Sequence, residues 1–77
     1  MIRARFRLIL PEDIWITEVS TSFPGATLRL LTGVPKRDRA LELGEVRAAD
    51  PAAVTGAIRR HPDIFGYQQL YGDTRTV

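Results

Sequence analysis

Apolar and polar residues alternate from the first positions of this chain. Ile2, Ala4, Phe6, Leu8 and Leu10 share one parity, while Arg3, Arg5 and Arg7 take the other. A period of two is the mark of a strand with one buried face. Pro11 breaks the alternation. Glu12 and Asp13 then sit where a helix dipole favours acids, and Trp15, Val19 and Phe23 recur at four-residue spacing. The pattern predicts a helix over about 12–22, although Ile14, Ile16, Thr17, Val19 and Thr21 are β-branched and weak helix formers. "FPGA" at 23–26 reads as a turn. Ala26, Leu28, Leu30 and Val34 then fall on one parity with Arg29 opposite, which predicts a second strand. "PKRDR" at 35–39 reads as a charged hairpin loop and "ALELGEVRA" at 40–48 as a third strand. Leu41 and Leu43 share a face there, whereas Val46 and Ala48 carry the apolar parity beyond Gly44, so a β-bulge is expected at the glycine. Asp50 as N-cap and Pro51 in the first turn open a second helix, with Val54, Ala57, Ile58 and His61 as its stripe and Pro62 as its stop. Phe65, Tyr67 and Tyr71 mark a last strand, and residues 73–77 read as a polar tail.

The order strand, helix, strand, strand, helix, strand predicts an α+β fold over 1–72 as a single domain. Right-handed crossovers close it most simply as a ferredoxin-like βαββαβ arrangement. This is a four-stranded antiparallel sheet with two helices on one face and the first and third strands central. The other face of the sheet is left open. Arg3, Arg5, Arg7, Arg29 and Glu42 are expected to lie on it.

Composition narrows the chemistry. A chain of 77 residues buries only about 60% of its unfolded surface, so a partner would help it. Cysteine is absent, which removes disulfides and thiolate metal sites. Net charge is +2, with ten arginines and one lysine. A balance this small does not demand a polyanion. The apolar runs are too short to cross a bilayer, and no apolar stretch follows the first arginines as in a signal peptide, so no membrane partner and a cytoplasmic address are expected. His61 is the lone histidine, and no nucleophile or carboxylate is spaced to converge on it; its place before Pro62 suits a helix end. Neither GxGxxG nor GxxxxGKS occurs. No catalytic residue, metal site or cofactor is predicted, and the chain is not expected to be an enzyme.

The open face carries the functional question. RNA-binding sheets of this kind place aromatic rings on the central strands for base stacking. Here the first strand offers arginines, which pair with phosphate and also stack on bases, so a nucleic acid is the second choice of partner. Another protein domain or a second copy of the chain is the first. The bland alternative is a charge-paired surface in which Glu42 and Glu45 neighbour the arginines.

The phrases "RARFRLILPEDIWITEVSTSFPGATLRLLTGVP", "RALELGEVRAADPAAV" and "AIRRHPDI…YQQLY" resemble the N-terminal region of archaeal, chiefly haloarchaeal, helix-turn-helix regulators similar to the bacterio-opsin activator. The resemblance runs from Ile2 to about Tyr71. It implies a small α/β sensing or assembly domain that regulates transcription indirectly, through self-association, partner contact or a small ligand. The family's DNA-reading helices lie nearer the C-terminus, and no recognition-helix pattern fits these 77 residues. The family offers no site residue to carry over. Haloarchaeal proteins are usually strongly acidic, and this chain is slightly basic.

Overall fold

The structure, a computed structural model, describes residues 1–72. The tail expected at 73–77 lies outside the described residues. The elements run β1 (Ile2–Ile9), α1 (Asp13–Ser22), β2 (Thr27–Lys36), β3 (Arg39–Arg47), α2 (Pro51–Arg60) and β4 (Ile64–Gly72). They form one antiparallel sheet in the order β2-β3-β1-β4, with β1 and β3 central. The fold is the α+β, ferredoxin-like βαββαβ arrangement that the alternation and the two helical stripes imply.

Both helices cover the face of β1 that carries Ile2, Ala4, Phe6 and Leu8. Trp15 and Val19 of α1 and Val54 and Ile58 of α2 join them, with Ala40, Val46 and Ile64 from the other strands. Phe6 and Trp15 meet edge to face, with ring centroids 5.2 Å apart and planes at 81°. This geometry suits the ring quadrupoles. Trp15 is 1% exposed, so a ligand-stacking role is closed to it.

Helix ends follow the sequence cues unequally. The Asp50 carboxylate accepts the Ala53 N–H at 3.2 Å, as an N-cap should. Glu12 occupies the N-cap of α1 without a side-chain cap bond, and the Leu10–Pro11 peptide before it is cis. His61 caps the C-terminus of α2, its N–H donating to the Ile58 carbonyl at 3.2 Å. Its ring does more than the sequence suggests. Nδ1 accepts the Asp63 N–H at 3.1 Å, so Nε2 carries the proton that is donated to Glu18 of α1, 2.8 Å away. One imidazole thus ties both helices and the turn into β4.

Three details differ from the sequence reading. The hairpin loop is Arg37 and Asp38 alone, because pairing continues to Lys36↔Arg39; Arg37 absorbs the tight turn in the left-handed region, with φ 59°. β3 runs against β1 without a register shift from Val46 to Arg39, so Gly44 is not a bulge. The extra residue is in β2, where the register skips Leu31 between Leu30 and Thr32. β4 shifts twice as well, beside Phe65 and Leu70.

Candidate functional site: the open sheet face

The register decides which side chains share the open face. Arg3 lies opposite Glu45, Arg5 opposite Leu43 and Arg7 opposite Leu41, while Arg29 of β2 meets Glu45 from the other side. Arg3, Arg5, Arg7 and Arg29 are therefore where the sequence put them. Glu42 is not. It pairs with Phe6 and Gly33 on the helix-covered side, because β3 has no bulge and Ala40, Glu42, Gly44 and Val46 keep one parity. Only 8% of Glu42 is exposed.

Glu45 holds the place on the face that was assigned to Glu42. It is 6% exposed, hydrogen-bonded to Arg3, and its Oε1 is 4.0 Å from Arg29 Nη1. The hydrogen bond from Arg3 keeps its carboxyl below the ordinary range, against the opposing effect of burial. A carboxylate held between two guanidiniums stabilises the junction of β1, β2 and β3.

Glu42 is perturbed in the other direction. Burial pushes it up to about 7, and the facing Glu12 carboxyl adds a hydrogen bond and like charge in the same sense. Its carboxylate lies over Gly33, where any Cβ would collide with it. A buried carboxyl that faces another acid favours its protonated form. Together with Leu10 and Ala40, Glu12 and Glu42 line a recess at the mouth of the core, away from the arginines.

With Glu42 removed, the face holds Arg3, Arg5, Arg7, Arg29, Lys36, Arg39 and Arg47, with Glu45 as its one carboxylate among the described residues. The rest of its centre is aliphatic. Leu41 and Leu43 of β3 stand on this side, flanked by Val34, which is 64% exposed, and Leu70, which is 43% exposed. Val34, Leu41, Leu43 and Leu70 line a trough of about 220 Å³ with Arg5 and Thr32. Phe65 is 49% exposed, and the Arg39 guanidinium reaches across β1 to lie 5.3 Å from its ring centroid.

The apolar strip is what the sequence reading missed. Placing a bulge at Gly44 turned Leu41 and Leu43 toward the core, and ignoring one at Leu31 did the same to Val34. The small residues Ala40 and Gly44 on Val46's parity were the available signal, since small side chains fit beneath packed helices. The arginines and the apolar residues interleave on one surface: Leu41 and Leu43 of β3 stand beside Arg7 and Arg5 of β1, with Val34 and Leu70 from the two edge strands. No helix among the described residues is long and apolar enough to cross a membrane. No family model, curated protein or solved structure matches the chain.

Proposed function

We propose that this chain is a non-catalytic assembly domain whose open sheet face docks a partner protein. The observation that carries this reading is the apolar strip of exposed Val34, Leu41 and Leu70 and half-buried Leu43, interleaved with arginines. Protein interfaces combine buried apolar side chains with arginine, which is enriched in them relative to the rest of the surface. An apolar patch left on a small domain is itself a sign of an interaction site. The setting in a transcription regulator rests on the resemblance of phrases alone, whereas the docking face stands on geometry.

A photo-cross-linking residue at position 43 or 70, compared with one at exposed Ile14 on α1, tests the reading in the cells that make the protein. Protease-sensitive adducts from 43 and 70 and none from 14 are the expected outcome. No adduct, or adducts from position 14 alone, would overturn it.

One observation favours a nucleic acid as the second reading: among the described residues, seven cations share this surface with one carboxylate. Nuclease-sensitive adducts at 43 and 70 would establish it instead, and affinity for a single strand would then fall steeply with salt.

A further inference from the structure

The cations of the open face are not equivalent. Arg3 and Arg29 share Glu45, and Arg39 lies over Phe65 with Asp38 4.0 Å from its Nε. Arg5 and Arg7 have a different setting. The Arg5 guanidinium donates to Gln68 Oε1 at 2.6 Å. That neutral amide fixes its direction, and no ion pair holds Arg5 among the described residues. Arg7 lies across Gly66, where a Cβ would sit 3.3 Å from Arg7 Cδ. Position 66 offers no side chain of its own, so the surface is recessed there. The recess has a volume of about 340 Å³, with Arg5, Arg7, Leu41, Gly66 and Gln68 around it.

We propose that the recess between Arg5 and Arg7 is a carboxylate-binding site that receives an acidic side chain of the docked partner, beside an apolar residue seated on Leu41, Leu43 and Leu70. This inference rests on the docking reading above and names the chemistry of its partner. Residues two apart on one strand face are about 7 Å from each other, close enough for two guanidiniums to address one anion. Their mutual repulsion falls when a negative group enters between them. The planar fork of arginine matches a carboxylate in two hydrogen bonds, and such charge-assisted bonds are the strong ones.

The neighbouring trough selects the source of the anion. Aliphatic side chains line it, and a leucine or valine of a protein segment fills such a surface. A single-stranded nucleic acid stacks its bases on flat rings, whereas the trough is lined by aliphatic chains and the half-exposed Phe65 ring beyond it already has the Arg39 guanidinium over one face. The partner that fits is therefore an acidic protein segment with an aliphatic residue beside its carboxylate.

The test is an NMR titration of the full chain, reading arginine Nε–Hε signals and leucine methyls. The probe is a short synthetic peptide of aspartate, glutamate and leucine. Its controls are the same peptide with amides for carboxylates, the same peptide with serine for leucine, and an oligo-dT strand. The Arg5 and Arg7 signals and the Leu41 and Leu43 methyls are expected to move together with the acidic leucine peptide. Arg5→Gln/Arg7→Gln should weaken it roughly tenfold or more. Both side chains are exposed, and the amide spectrum of the variant reports its fold directly.

Methyl shifts with the arginine signals unmoved would overturn the carboxylate site and leave the docking face standing. Equal binding of the amide peptide would do the same. Tighter binding of oligo-dT at the same arginines would reassign the recess to phosphate. Silence at every position would sink the inference, and the cross-linking experiment would then judge the docking reading separately.

Discussion

At the scale of single residues, the most consequential side chain is one that the alternation put on the wrong side of the sheet. Glu42 is buried, faces Glu12, and titrates near 7 in the folded chain against an ordinary 4.5. Its folded pKa is raised, so between those two values the folded protein keeps a proton that the unfolded chain has lost. Stability then falls as pH rises through the window and levels off above it. Glu45 has the opposite sign: its lowered pKa, caused first by the Arg3 hydrogen bond, gives stability that is present at neutral pH and lost on acidification. Replacing Glu42 by glutamine keeps the shape and removes the titration. Glu42→Gln is expected to match the parent near pH 4 and to exceed its stability by roughly 1–3 kcal/mol at pH 8, measured by urea unfolding. A difference of constant size at both pH values would show that charge is not the cause.

At the scale of elements, local signals were legible wherever one rule acted alone. The alternation of Ile2 to Leu8 against Arg3 to Arg7 located β1 and its buried face, and Asp50-Pro51 located the start of α2 to the residue. Asp50→Ala is expected to lower thermal stability by about 1 kcal/mol, because the Ala53 N–H loses its acceptor. Features that depend on a neighbouring strand were not legible. The bulge belongs to whichever partner has a residue to spare, and only the pairing of Thr32 with Leu43 assigns it to Leu31 rather than to Gly44. The same holds for His61. Its place at a helix end was readable, whereas its bond to Glu18, 43 residues away in sequence, needs the two helices side by side. A double-mutant cycle with Glu18→Gln and His61→Gln should show a coupling of about 1 kcal/mol in urea unfolding. Additive effects would mean that solvent replaces the bond at no loss.

At the scale of the whole molecule, the distribution of charge matters more than its sum. A net charge of +2 conceals an open face on which, among the described residues, seven cations meet one carboxylate while the other acids lie on helices, turns and the core. That asymmetry bears on whether a second copy could be the partner. Two such faces pressed together would join their aliphatic strips, which favours association, and would also set like charges against each other with Glu45 already engaged by Arg3 and Arg29. Screening decides which effect wins. The Debye length is about 30 Å at 0.01 M salt and about 3 Å at 1 M, so repulsion across the interface acts fully at the first and is nearly gone at the second. Apolar association is not weakened by that change. Sedimentation equilibrium should therefore find a monomer at low ionic strength and a rising average mass as sodium chloride is added. Leu43→Ser should abolish the rise, since Leu43 stands at the centre of the strip. The reverse order, a dimer at low salt that salt dissociates, would mean that copies pair through opposite charges elsewhere on the surface and that the arginine face is free for a different protein.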